Sequence, residues 1–255
     1  PKRLRFYFLH DRKLLRHLVA SAHRALALSL RYGRIRKDFR PASITLIQTQ
    51  GDELNWNCHL HLLAADGAFE IRGPGSIVFR PCAFWDVQAL AEIFRFTLID
   101  RLHKMRVLSD DVATNLMSWP HSGFHVHASE PFPVTDRDQL IRRLAYAFRV
   151  PVSLNQLTYI GREVRLRTRK GRSLEFSPLE FLARLTVHIP NRYQHYRRYA
   201  GIYASATRRH LGLKTHAQAI QTGRKIRISW AHLLARIFGT LPIQCPHCRT
   251  EMRLQ

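Results

Sequence analysis

The stretch Trp56-Asn57-Cys58-His59-Leu60-His61-Leu62-Leu63 is an apolar run that carries two histidines separated by one leucine. In a β-strand, residues i and i+2 point to the same face, so His59 and His61 would present their imidazoles side by side. Cys58, Leu60 and Leu62 would then face the core. Two neutral imidazoles held in this way make half of a divalent-metal site.

The charge balance indicates a polyanionic partner. The chain has 41 Lys and Arg against 18 Asp and Glu, a formal net charge of +23. A hydrophobic content of 45% over 255 residues is enough for a folded core. No apolar run reaches the ~20 residues of a membrane span. Nucleic-acid phosphate is the expected partner, and on charge alone a ribosome-associated RNA binder or a lipid-bound peripheral protein stays open.

Four cysteines are too few for a disulfide scaffold and indicate a reducing cytoplasm. Cys58 and Cys82 are expected in the core. Cys245 and Cys248 have the C-x-x-C spacing of a zinc knuckle, but a structural zinc needs four ligands and no second pair follows. Half of a zinc site and a plain reduced turn therefore both stay open. The chain begins with Pro1 rather than Met, which indicates a processed chain or an incomplete piece of a longer product.

Apolar periodicity predicts long helices over residues 11–32 and 86–105 and a shorter one over 136–149. Strands are expected at 43–48, 57–64 and 77–79, the first two as neighbours. Arginines alternate with apolar residues over 162–170, which indicates a half-buried strand with a cationic outer face that pairs with 173–176 in a hairpin. Ser177 and Pro178 start a helix that continues through Leu185, and another helix is expected at 230–238.

The residues around the histidine pair resemble a known signature. The stretch from Gln48 to Phe69 is similar to the HUH (His-hydrophobe-His) motif of rolling-circle transposases of the insertion-sequence ninety-one family. The similarity continues in order along the chain through Arg149-Val150-Pro151, Phe176-Ser177-Pro178-Leu179-Glu180-Phe181, Arg198-Tyr199-Ala200-Gly201, and Trp230 with Cys245-Pro246-His247-Cys248. A collinear match of this length is far more specific than a lone H-x-H.

The resemblance implies an α+β fold, in which an antiparallel sheet is flanked by helices, with a mainly helical, basic C-terminal region. It implies an HUH nuclease-like catalytic domain over residues 1–156, lacking its first strand and the zinc-binding segment that family members carry before it. Residues 157–255 would be a basic hairpin and helical DNA-binding region ending in the C-x-x-C knuckle. The implied partner is single-stranded DNA at transposon ends, in the bacterial cytoplasm at the nucleoid.

The resemblance also implies the chemistry. His59 and His61 would hold Mg²⁺ or Mn²⁺, and a tyrosine would attack the scissile phosphate to give a 5′-phosphotyrosine and a free 3′-hydroxyl. Gln48 is the expected third ligand because adjacent strands lie only ~4.8 Å apart. The loop acids are alternative third ligands: Asp52, Glu53 and Asp66.

Tyr146 is the expected nucleophile, because it matches the family tyrosine placed before an Arg-Pro-Pro-like segment. The alternative is that Tyr146 is a core residue of an amphipathic helix. Arg142 stands one turn earlier, where two-tyrosine relatives carry their other tyrosine, which implies a one-tyrosine enzyme or a lost step. A decayed DNA-binding remnant and a replication initiator or relaxase are therefore the alternative functions.

Two further patterns compete with these assignments. His125-Val126-His127 repeats H-x-H without a long strand run, so His59 and His61 are preferred, with His127 expected near the site. Tyr199 and Tyr203 have a spacing that would share one helix face, but Gly201 disfavours a helix. Tyrosines mixed with arginines suit stacking and phosphate contacts with single-stranded DNA. The expected DNA-binding residues are Arg149, Arg165, Arg167, Arg169, Arg192, Arg197, Arg198 and Tyr199.

Overall fold

The structure, a computed structural model, describes residues 1–32, 39–82, 85–120 and 123–213. All of these belong to one compact unit, Pro1–Leu213. The predicted knuckle at Cys245 and Cys248 and the predicted helix at 230–238 lie outside the described residues. No helix in the described ranges is long and apolar enough to cross a membrane.

The described residues alternate helices with short antiparallel strands, which confirms the α+β class. The helices are α1 (Lys2–His10), α2 (Leu15–Tyr32), α3 (Val87–Lys104), α4 (Asp110–Ser118), α5 (Arg137–Ala147), α6 (Pro178–Thr186) and α7 (Ser205–His210). The strands are β1 (Phe39–Arg40), β2 (Ala42–Gln50), β3 (Trp56–Ala64), β4 (Gly67–Gly73), β5 (Ser76–Pro81), β6 (Leu157–Ile160), β7 (Glu163–Arg167), β8 (Ser173–Phe176) and β9 (Arg197–Gly201). Within this part of the chain they form the sheets β1-β4-β5, β3-β2-β9 and β6-β7-β8.

Most predicted elements are present. The strands predicted at 43–48 and 57–64 are the antiparallel neighbours β2 and β3, and the basic hairpin is β7 and β8. The Ser177 hydroxyl caps α6 by accepting the Glu180 N–H, with Pro178 in the first turn. The predictions omitted α1 and α4, although Ser109 caps α4 and acidic residues occupy its first turn.

The segment from Arg197 to Gly201 is a strand and not a helix. It pairs antiparallel with β2, with Leu46 opposite Arg197 and Ile44 opposite Tyr199. The weakness of Gly201 as a helix former agrees with this outcome, and its φ of +59° ends the strand in the left-handed region. A segment far along the chain therefore completes the sheet that carries the histidine pair.

The sheet β3-β2-β9 has one face buried under helices. On β2, Ser43, Thr45, Ile47 and Thr49 are buried, whereas Gln48 on the other face is only partly covered. Apolar residues of the N-terminal helices and α3 pack against the buried face: Leu4, Phe8, Leu18, Leu98 and Leu102. Each such leucine contributes roughly 1.5–3 kcal/mol when fully buried. This packing holds the sheet against the helices.

Two of the three β3 residues that were predicted to face inward pack against the helix-covered core. Cys58 and Leu60 pack against the core, and burial raises the pKa of the Cys58 thiol to about 11. Leu62 is 38% exposed, so its predicted core position is wrong. It lies opposite Thr45, which is fully buried, but on β3, an edge strand of the sheet that the described residues form.

A second, smaller core seats the basic hairpin beside the loop between β2 and β3. Leu54 from that loop is buried with Leu166 of β7, Phe176 of β8 and Phe181 of α6. The predicted alternation is confirmed, since Leu166 and Thr168 are buried while the neighbouring arginines of β7 are exposed. The hairpin is thus packed against the loop that leads into the histidine strand.

His188 links α6 to this loop and to β2. Its Nε2–H donates to the Leu54 carbonyl at 3.2 Å, so its Nδ1 accepts from the Thr49 hydroxyl at 3.1 Å. The ring stacks on Trp56 with centroids 6.1 Å apart and an interplanar angle of 5°. Arg12 lies over the Trp56 ring at 5.5 Å and donates to the carbonyls of Val187 and Ile189.

The pH dependence of stability should report on this link. Burial is the main cause that lowers the pKa of His188, so its neutral form stabilises the fold. The stabilisation that neutral His188 contributes is complete above about pH 6.5, the pKa of a histidine in the unfolded chain. It is lost as the pH falls through the lower pKa that His188 has in the folded protein. In His188→Gln, whose amide does not titrate there, the melting temperature should fall less between about pH 7.5 and about pH 5.5 than in the wild type. An equal fall in both proteins would contradict the prediction.

Candidate metal and nucleic-acid site

The antiparallel register of β2 and β3 brings the predicted metal ligands together. Gln48 lies directly opposite His59, and Leu46 lies opposite His61. The two imidazole centroids are 5.1 Å apart with an interplanar angle of 70°. Opposed residues of antiparallel strands share one face, so Gln48, His59 and His61 project from the same side of the sheet.

Each imidazole is disposed to offer a lone pair. The Nδ1–H of His59 donates to the Asn57 carbonyl at 2.7 Å, which leaves Nε2 as the coordinating atom. Burial, followed by the nearby His59 and Arg149, lowers the pKa of His61 and favours its neutral form. An orienting hydrogen bond to the non-ligating nitrogen is the usual support of a metal-binding histidine.

The acidic alternatives for the third ligand are engaged elsewhere. The Asp52 carboxylate accepts backbone N–H groups of the basic hairpin, Glu53 pairs with Arg172, and Asp66 accepts the Trp85 indole N–H at 2.6 Å. Among the described residues, no group of three or more His, Cys, Asp or Glu side chains could hold a metal ion. Gln48 offers a neutral oxygen beside the two histidines.

Tyr146 lies against the histidine pair. Its ring centroid is 5.4 Å from that of His61 with an interplanar angle of 86°, and the Arg149 guanidinium lies over it at 4.6 Å. Tyr146 is 55% exposed and α5 buries no side chain, so the tyrosine is not a core residue of its helix. The Gln48 Nε2 donates to the Ala147 carbonyl at 2.7 Å and ties the end of α5 to β2.

These residues enclose a polar cavity of about 200 Å³. Gln48, His59, His61 and Tyr146 line it, together with Arg149 and Arg169. Partial burial, followed by repulsion from Arg149, lowers the pKa of the Arg169 guanidinium, which stays charged at neutral pH. The cavity therefore combines nitrogen and oxygen ligands, a phenol and two cations, which suits an anionic group.

Asp52 holds one cation of the cavity in place. Its carboxylate accepts the backbone N–H groups of Arg169 at 3.1 Å and Lys170 at 3.4 Å. Glu53 pairs with Arg172 on the other side of the same turn. Asp52 and Glu53, two of the acids considered as metal ligands, thus attach the hairpin turn to the loop between β2 and β3.

The predicted DNA-binding residues divide into separate groups. Arg149 and Arg169 line the cavity, whereas Arg165 and Arg167 lie on the outer face of the hairpin, where Arg165 pairs with Glu175. Arg197 contacts the Tyr199 ring on β9 at 5.7 Å, and Arg192 contacts the Tyr193 ring at 4.7 Å. Arg198 is exposed on β9 between Arg197 and Tyr199.

Other predicted positions lie outside the cavity, and some lining residues were not predicted. His125 and His127 are exposed in an irregular segment, and the cavity lining includes neither of them. Gln50, Asn57 and Gln156 line the cavity and were not predicted. For Asn57 a signal existed, because it precedes His59 by two residues and shares its face.

Comparison with known protein families assigns the chain to a family. A family model with the description "Putative transposase" (Y2_Tnp) matches residues 43–210. The match covers more than half of the 255-residue chain and runs from β2 to the end of α7. No curated protein and no solved structure matches the chain.

Removal of the Asp52 carboxylate should release the hairpin turn. In Asp52→Ala, the amides of Arg169 and Lys170 lose their acceptor, so their hydrogen–deuterium exchange should accelerate by at least ~10-fold. Exchange of the β3 amides in the same sample should not change, since their partners on β2 remain. Unchanged exchange at the turn would show that Asp52 does not hold it.

Proposed function

The chain belongs to the transposase family whose model it matches, and from this premise we propose that it cuts and rejoins single-stranded DNA by HUH-type tyrosine chemistry. One observation carries the proposal. The phenol of Tyr146 lies against His61 in a cavity that also contains His59, Gln48 and two arginines. A nucleophile, a pair of imidazoles and fixed cations are the groups that phosphoryl transfer to a tyrosine requires.

The donor set fits a divalent cation. His59 Nε2, an imidazole nitrogen of His61 and the Gln48 Oε1 would hold it, since the Gln48 amide nitrogen is already used by the Ala147 carbonyl. A mixed nitrogen and oxygen set suits Mn²⁺ and also accepts Mg²⁺, which binds few protein ligands and keeps several waters. When bound, the cation would polarise the scissile phosphate as a Lewis acid. A Zn²⁺ site at Cys245 and Cys248 stays a prediction outside the described residues.

The proposed step is an exchange of one phosphate ester for another. The Tyr146 oxygen forms a bond to phosphorus, and the bond from phosphorus to the 3′ oxygen breaks. The tyrosine proton passes to solvent, and the leaving 3′ oxygen takes up a proton as a free hydroxyl. The 5′-phosphotyrosine keeps the ester bond energy, so that the strand can later be rejoined without ATP.

The cations of the cavity would support this exchange. The Arg149 guanidinium lies over the Tyr146 ring, so it would stabilise negative charge as the phenol loses its proton. Arg169, held by the hairpin turn, would contact the phosphate oxygens where charge grows. Both groups are positioned by backbone elements before a substrate arrives.

The partner that we propose is single-stranded DNA at transposon ends, in the bacterial cytoplasm at the nucleoid. A cavity of about 200 Å³ has room for one phosphate group and its immediate surroundings. A flexible single strand can place one phosphate in such a cavity. The family match itself supports DNA as the partner.

Formation of a covalent adduct tests the tyrosine. The full chain with a labelled single-stranded oligonucleotide and Mn²⁺ should give a protein–DNA adduct that survives SDS. Tyr146→Phe should abolish it, because the attacking oxygen is lost, whereas Tyr199→Phe should keep it. Gel electrophoresis of both variants beside the wild type provides the measurement.

The opposite pattern, with the adduct lost in Tyr199→Phe and kept in Tyr146→Phe, would refute the assignment of Tyr146. No adduct with the wild type would favour the remnant with a decayed site, which Arg142 in place of a further tyrosine permits. Thermal melting of each variant should match the wild type, since both tyrosines are about half exposed.

Metal binding can be measured without activity. Because a ligand is lost, His61→Ala should weaken Mn²⁺ binding by at least ~10-fold, as followed by the electron paramagnetic resonance of free Mn²⁺. His127→Ala belongs to the other H-x-H and should leave the affinity unchanged. Equal affinities in the wild type and His61→Ala would exclude the histidine pair as the site.

A further inference from the structure

Side chains on the cavity side of the central sheet stand in rows across its strands. One row contains His59 and Gln48, and the next contains His61, Leu46 and Arg197. A further row contains Leu63, Ile44 and Tyr199. Paired residues share a face and residues two apart on a strand share it too, so all three rows face the same side as the candidate metal ligands.

Arg197 and Tyr199 form an exposed pair at the β9 edge of this face. The Arg197 guanidinium lies 5.7 Å from the centroid of the Tyr199 ring, and Tyr199 is 47% exposed. Ile44 and Leu63 of the same row are only partly buried and extend the apolar surface beside the ring. A cation next to an accessible aromatic ring is the combination that binds a phosphate and stacks a base in single-stranded nucleic acid.

The pair lies within reach of a strand held at the histidine pair. Arg197 is two strands from His61 in one row, which places their backbones roughly 10 Å apart. Tyr199 is one row further, roughly 7 Å along the strands. Arg149 and Arg169 line the cavity itself. Cationic groups therefore occur both around the candidate metal site and at the β9 edge of the same face.

The residues on either side of Arg197 in the sequence, Tyr196 and Arg198, face the other way. Tyr196 packs against the helix-covered core, and its burial raises the pKa of its phenol. Arg198 lies opposite Thr45, whose side chain is fully buried on that helix-covered side. Arg198 therefore carries the same charge as Arg197, on the same strand, but belongs to the opposite face.

We propose that Arg197 and Tyr199 form a nucleotide subsite, in which Tyr199 stacks on a base and Arg197 contacts a phosphate of the DNA strand next to the scissile position. The inference rests on the proposed function, since it gives the path of that substrate across the sheet. Its occupant is a single-stranded DNA segment, which the positive charge of Arg197 and the aromatic ring of Tyr199 select.

Binding of a labelled single-stranded oligonucleotide to the full chain, with EDTA and without divalent cation, tests the subsite apart from cleavage. Tyr199→Ala should weaken binding by about 10-fold and Tyr199→Phe by less than about 2-fold, because the ring and not the hydroxyl stacks. Arg197→Ala should weaken binding and reduce the slope of log K against log salt by about 0.7. Tyr199→Ala should leave that slope unchanged.

In this proposal Arg198, which the sequence predicts to bind DNA, lies on the opposite face and does not contact the strand, so Arg198→Ala is the matched control and should change affinity by less than about 2-fold. Equal losses in Arg197→Ala and Arg198→Ala would overturn the face assignment, and unchanged affinity in Tyr199→Ala would overturn the stacking. The fold is checked by melting temperature, which should be the same in all variants. If no covalent adduct forms, the proposed chemistry fails while these affinities still decide the subsite.

Discussion

The structure of the candidate site depends on the register between β2 and β3. With Gln48 opposite His59, an amide oxygen and two imidazoles share one face of the sheet. A slip by one residue would turn every side chain of β3 to the other face and bury the histidines under the helices. The register is held because Ile47 of β2 and Cys58 and Leu60 of β3 pack against the apolar residues of α1, α2 and α3. The packing that stabilises the core therefore also fixes the geometry of the site.

Groups distant in the sequence fasten the rest of the site to these strands. His188 connects the end of α6 to Thr49 and Leu54, and Asp52 holds the hairpin turn that carries Arg169. Gln48 holds the end of α5 beside Tyr146. The links from Gln48 and Asp52 fix the end of α5 and the hairpin turn at the cavity, whereas His188 joins the segment after α6 to the helix-covered side of β2.

Much of this arrangement was predictable from local pattern. The alternation around His59 specifies a strand with two imidazoles on one face, and the alternating arginines of β7 specify a cationic hairpin. The exposed position of Leu62 was not predictable, since alternation within a strand does not show that β3 is an edge strand of its sheet in the described residues. Nor was the role of Asp52, because a loop carboxylate has no periodicity, and its partners lie 117 and 118 residues away. Strand β9 was missed because five residues rich in arginine carry no clear strand pattern.

The sequence by itself determined the residue types of the site: the histidine pair, a tyrosine before an Arg-Val-Pro segment, and a large excess of basic side chains. It also determined which residues share a face within one strand, because that follows from backbone geometry alone. Only the tertiary structure decided that Tyr146 meets His61, that Arg197 and Tyr199 share the face of the candidate metal ligands, and that Arg198 does not. These facts depend on pairing between strands and on packing of α5, which are set by contacts between residues far apart in the chain.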